Sequence, residues 1–199
     1  MGEEFLEAAE RHLPRFLSAE DKAELLAQVR QFETAQLFAH PEISQEPVLQ
    51  GDGWRGLTVI QFETGDRKQV SGVVVSNACD ISSANTRHLP PRLVFAPIVR
   101  LSRIEGQLRS KGFSEQVVQN ITHDMRRQRT TATFFLPKQQ YGPDEDSLLL
   151  LDDLHSIPTN AFDSDAQAHM FRLSQMGFWL FLIKLSIHFC RMNDGIVRG

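Results

Sequence analysis

The chain has 199 residues, 41% of them hydrophobic and 23% charged, with a formal net charge of −4. This is long enough for one domain with a helical extension and a sizeable core, and the composition excludes a disordered or fibrous chain. Two cysteines, Cys79 and Cys190, are too few for a disulfide scaffold and lack metal-ligand spacing, so the expected home is the reducing cytoplasm.

Charge is strongly segmented. Residues 1–50 carry 4 basic and 10 acidic groups, residues 92–138 carry 9 basic and 3 acidic, and residues 139–170 carry 7 acids and no Lys or Arg. Such asymmetry implies segments that fold against one another, or a basic segment that meets nucleic acid. The first reading is favoured, because opposite charges within one chain can neutralise each other.

In chain order, residues 3–12 and 19–33 read as two helices separated by Pro14. Ser18 caps the second, with an acid three residues on, and Leu25, Leu26, Val29 and Phe32 form its apolar face. Pro41 and Pro47 mark a loop leading to the glycine-rich turn Gln50–Gly56. The period then changes. Leu57–Phe62 and Val70–Ser76 read as strands joined by the charged hairpin Thr64–Lys68, and Leu93–Leu101 as a third strand. Continuous apolar runs such as Val73–Val74–Val75 and Leu93–Val94–Phe95 indicate strands buried on both faces. A helical interval over 103–129 is split at Gly112, with Ser114 as cap and Val117, Val118, Ile121 and Met125 on one face. Thr131–Leu136 and Ser147–Leu154 give two more strands. A last helix runs from about Asp165 to Arg191.

Its centre, Met176 to Phe189, is apolar on every side apart from Lys184, Ser186 and His188. At 14 residues it is too short for a membrane span, which needs ~20, so no membrane association is expected. A helix apolar all round must be covered all round, either by the rest of the chain or by a protein partner or second copy. His188, Cys190 and Arg191 at its end read as packing and capping residues.

Contiguous strand blocks argue against a doubly wound sheet and for an α+β fold: a small SH3-like β-barrel of about five strands, since closure removes exposed edges. Its expected parts are an N-terminal helical segment over 1–46, the barrel over 47–160 with its helical insert at 103–129, and the C-terminal helix over 161–199.

The stretch Gln50-Gly51-Asp52, the strand ending at Phe62, the hairpin around Arg67, Val73-Val74-Val75-Ser76-Asn77 and Leu93-Val94-Phe95-Ala96-Pro97-Ile98 resemble the MazF/PemK toxin family over roughly residues 50–102. The resemblance implies an SH3-like barrel opened by a Gly-Asp pair. It also implies a ribonuclease site with an arginine near the first hairpin and a threonine after Ala-Pro-Ile. Arg67 fits the first place, but the second is Val99, which has no hydroxyl, and Arg100 follows. This implies a relative of the fold whose ribonuclease constellation is absent or rebuilt.

Three groups of residues are candidates for chemistry. Cys79 is a nucleophile if a histidine (His88, His123 or His155) reaches it, and otherwise a small buried hydrophobe at a strand end where Asn77 and Asp80 make turns. Asp80, Asp152, Asp153 and His155 are metal candidates of no known spacing, against an acidic solvated strand end; no metal or cofactor is expected. Arg100, Arg103, Arg109, Lys111, Arg126, Arg127 and Arg129 form either a phosphate-binding face or an acid-paired one. The expected function is a cytoplasmic interaction or regulatory protein of toxin–antitoxin or defence type that binds a protein or RNA partner, with Asn77 and these arginines as binding residues. The alternative is an endoribonuclease or other hydrolase using Arg67, Cys79 and Asp80.

Overall fold

A computed structural model describes residues 18–20, 23, 27, 35–41, 48–61, 63–82, 88–162 and 167–190. The helix expected over 3–12 lies outside the described residues; of the one expected over 19–33, Ala19, Glu20, Ala23 and Ala27 are described and are helical.

The fold is mixed α and β. Among the described residues seven strands form one antiparallel sheet: β1 (Gly53–Ile60), β2 (Arg67–Val74), β3 (Arg92–Arg100), β4 (Thr133–Leu136), β5 (Ser147–Leu150), β6 (His155–Pro158) and β7 (Ala168–Phe171). Beside the helical residues near the N-terminus, four helices have both ends among the described residues: α1 (Ala78–Ile81), α2 (Leu101–Ser110), α3 (Glu115–Arg126) and α4 (Gln175–Cys190). The pairing path runs β4-β5-β3-β2-β1-β7, with β6 also on β3, and its two ends do not pair with each other.

Seven strands replace the expected five or so for two reasons. The first lies in β3, whose far edge pairs with β6 from Arg92 to Phe95 and with β5 from Ile98 to Arg100. Pairing lapses at Ala96 and Pro97. Proline has no N–H for a ladder, and opposite it the strand expected over Ser147–Leu154 ends at Leu150, with a further strand, β6, beginning just past that range at His155. The second is β7, which lies where the last helix was expected to start; it pairs with β1, and α4 begins at Gln175 instead.

Consecutive apolar residues serve two cores because strand side chains alternate between faces. Val73 and Ala96 join the larger core with Leu37, Phe38, Phe134, Leu136 and α4's Leu180 and Phe181. Val74 and Phe95, their chain neighbours, join a smaller one with Trp54, Leu57, Val59 and Leu93. Each such side chain contributes roughly 1.5–3 kcal/mol on full burial.

Helix α4 buries Leu180, Phe181, Ile183, Lys184 and Leu185 within the chain, whereas Phe178, Trp179, Leu182 and Ile187 are half-buried and Phe189 is exposed. Its start is pinned to residues 36–37. Ser174 donates its N–H to Leu37 O and its hydroxyl to Gln36 O, both at 2.8 Å, and Ser174 Oγ accepts from Gly177 N–H at 3.1 Å. Gly177 lies so close to the Leu37 backbone that a Cβ there would collide with the Leu37 carbonyl oxygen.

Helices α2 and α3 form a hairpin. Gly112 (φ +87°) ends α2, with Gly112 N–H bonding Arg109 O and Phe113 N–H bonding Leu108 O; Ser114 Oγ caps α3 at Val117 N–H. Helix α3 ends in the same bonding pattern, but the left-handed position is Gln128 at φ 57°. A side chain there costs about 1 kcal/mol relative to glycine, and Gln128 repays it. Its carboxamide accepts from Phe135 N–H at 3.1 Å and donates to Phe135 O at 3.0 Å, as a neighbouring strand would. Its own carbonyl accepts from Lys184 Nζ at 2.6 Å. Burial holds the Lys184 ammonium well below its usual range, down to about 7.

Candidate functional site

The site begins where β2 ends. Ser76 Oγ accepts from Val94 N–H at 2.8 Å and so continues the β2–β3 ladder with a side chain. Asn77 Oδ1 then accepts from Cys79 N–H at 2.9 Å and caps the single turn α1. That turn leaves Cys79 and Asp80 exposed and sets Ile81 against the smaller core. On the other side, Thr159 donates its N–H and its hydroxyl to Pro91 O, both at 3.2 Å, and so fixes the 3-10 turn Thr159–Ala161 to the start of β3.

Between these elements lie two depressions that meet at Pro91. One is an open cleft of about 590 Å³ lined by Ser76, Asp80, His88, Leu89 and Arg92. The other is a groove of about 420 Å³ with Val48, Ala78, Ile81, Leu93 and Phe162 on its walls and Ser82, Thr159 and Asn160 among its polar lining. The groove opens directly onto the smaller core, for Leu93 belongs to that core and Val48, Ile81 and Phe162 pack against it. Arg92 is fixed in the cleft wall by two bonds to Ser156, Nε to Oγ and Nη2 to the carbonyl, each 2.8 Å.

The sequence candidates separate in space. Arg67 opens β2, whereas Asn77, Cys79 and Asp80 follow its far end; roughly 23 Å of extended strand separates Arg67 from Val74 alone. The trio Arg67, Cys79 and Asp80 is therefore not brought together. Asp80 shares the cleft with His88. His155 is elsewhere, with Nε2 3.2 Å from Asp153 and its ring stacked on Phe95 at 5.6 Å, and His123 is on α3. Among the described residues no three His, Cys, Asp or Glu side chains converge as a metal site.

Most of the basic cluster faces acids. Arg100 meets Glu145 at 2.9 Å, Arg109 meets Glu115 at 2.9 Å, and Arg129 meets Asp124 at 2.9 Å. Arg126 bridges Glu105 at 3.5 Å and Asp146 at 3.3 Å. Asp146 also accepts from Lys138 N–H with its side chain and from Leu101 N–H with its carbonyl, which fixes the base of the α2–α3 hairpin. Exposed pairs contribute about 0–1 kcal/mol each, and more where several share one network. Arg103 and Lys111 are exposed on α2 and just after it, and Arg127 caps the end of α3.

Two residues carry roles that sequence patterns leave hidden. Asp52, from the Gly-Asp pair, is fully buried and takes both Nε and Nη2 of Arg172 at 2.8 Å, as well as Leu49 N–H at 3.0 Å. Burial pushes its carboxyl up, but His169 (Nε2 at 3.9 Å), Arg172 and the Leu49 N–H outweigh this and hold it below the usual carboxylate range. This pair ties the segment between β7 and α4 to the start of β1. The other is Arg92, which stands just before the strand expected over Leu93–Leu101 and opens β3 in the structure. No protein-family model and no curated protein matches this chain.

Proposed function

We propose that the chain is a cytoplasmic regulatory interaction protein of toxin–antitoxin or defence type, built on a partly open SH3-like barrel of the MazF/PemK kind. It docks a protein partner in the cleft between α1 and the 3-10 turn. The observation that carries this reading is the groove walled by Val48, Ile81, Leu93 and Phe162, which leaves apolar surface concave and open to solvent beside a polar cleft. Covering such surface contributes roughly 25 cal/mol per Å², and concave apolar sites with a few polar groups are where ligands are held.

RNA binding by the arginine face has less support, because counterion release requires cations free to meet phosphate and most of these already meet carboxylates. The ribonuclease alternative is weakened in the same way by the distance of Arg67 from Cys79 and Asp80 and by the absence of a hydroxyl at Val99.

The test places a photoreactive residue at Asn160 on the groove rim and crosslinks in cells of the source organism. One protein, captured and then reconstituted from purified components, is expected, with capture lost on Ser82→Arg. Cleavage of mixed RNA by the purified chain, abolished by Arg67→Ala, would reverse the conclusion in favour of the enzyme.

A further inference from the structure

Arg92 is held differently from the arginines that form ion pairs. Arg100, Arg109, Arg126, Arg129 and Arg172 each meet a carboxylate. Arg92 is anchored instead by the neutral oxygens of Ser156, and among the described residues no carboxylate pairs with it. The ladder itself fixes Ser156 opposite Val94, so the guanidinium is in position before any ligand arrives. Its remaining N–H groups keep a full positive charge at the wall of the open cleft. Across Pro91 none of the described residues that line the groove is charged.

Resting on the reading of this cleft as a protein-docking site, we infer the chemistry of the docked segment. It is an extended peptide that sets one carboxylate on Arg92 and one bulky apolar side chain in the groove formed by Ile81, Leu93 and Phe162. Charge complementarity selects the carboxylate, and a fork already held by two bonds loses little entropy in taking it.

The experiment uses the full chain and labelled nonapeptides, each with one Phe and one Glu separated by zero to four residues in an Ala/Ser background, read by fluorescence anisotropy. One spacing is expected to bind best, and its Gln counterpart to bind about tenfold more weakly. Arg92→Gln removes the Glu-over-Gln preference. Should Arg92→Gln fail to fold, Arg92→Lys keeps the charge without the fork and cuts the preference several-fold. Binding that needs the Phe but ignores the Glu overturns this inference and leaves the docking site standing. Binding of no peptide, or binding instead of a single-stranded RNA 12-mer that Arg92→Gln abolishes, overturns both.

Discussion

Lys184→Met should stabilise the protein at neutral pH, and the gain should fade in base. Lys184 is 1% exposed in an apolar helix, and burial brings its pKa from 10.5 down to about 7. The unfolded chain keeps the ordinary value. Between pH 7 and 10.5 the unfolded chain therefore binds the extra proton, and stability rises with pH; below 7 both states are protonated and the full penalty of the buried charge is present. At 1.36 kcal/mol per pH unit that penalty is about 5 kcal/mol. Against it stands the 2.6 Å bond to Gln128 O, whose loss leaves a buried acceptor short of a donor at a cost of about 1–3 kcal/mol. The net expectation for Lys184→Met at pH 7 is a gain of about 2–4 kcal/mol. Urea unfolding of both proteins at pH 6, 7, 8 and 9.5 measures it. The difference between the two should be flat from pH 6 toward 7 and shrink by roughly 3 kcal/mol by pH 9.5. A difference that does not change with pH would refute the reasoning, since the same buried charge must produce both effects.

Asp52→Asn should cost about 3–5 kcal/mol in denaturant melts, because it leaves the Arg172 charge partly buried without its carboxylate. Since folding lowers the pKa of Asp52, the contribution is present above the ordinary carboxylate value of 3.8 and is lost as pH falls below it; acid titration followed by circular dichroism should show the parent losing stability there and Asp52→Asn losing less. Gly177→Ala forces a methyl toward the Leu37 carbonyl; about 1–3 kcal/mol of crowding outweighs the ~1 kcal/mol gained in helix propensity, so the melting temperature should fall, and a rise would mean that α4 does not sit on this backbone. Gln128→Leu removes both bonds to Phe135 and leaves its buried backbone groups unmatched, a loss of about 2–4 kcal/mol that hydrogen exchange should locate at β4.

Local chemistry made much of this fold legible. The break at Gly112 and the Ser114 cap need only neighbouring residues, and both are found where their residue types place them. The paired apolar runs announced strands covered on both faces, as Val73 and Val74 on opposite cores show. Segmented charge also had the plainer of its two meanings, since Arg100 and Arg126 of the basic stretch meet Glu145 and Asp146 of the acidic one. What stayed hidden depends on residues far apart in sequence. The division of β5 from β6 lies opposite Pro97 of another strand, and β7 forms because β1 offers it an edge. Arg172 meets Asp52 across 120 positions, which no spacing rule reaches. The cleft was half visible: Asn77, Cys79 and Asp80 flank it, but Arg92 and Phe162 join them only through the Ser156 and Pro91 contacts of the folded chain.

Strand β3 belongs to both interiors at once, with Phe95 turned to one and Ala96 to the other. Neither half can then loosen without disturbing the spine they share, and calorimetry should record a single cooperative transition rather than two. It also means that an occupant wedged beside Leu93 would raise the melting point of the distant α4 region by mass action alone. Protection spreading that far from the point of contact would be the mark of a molecule whose two halves stand or fall together.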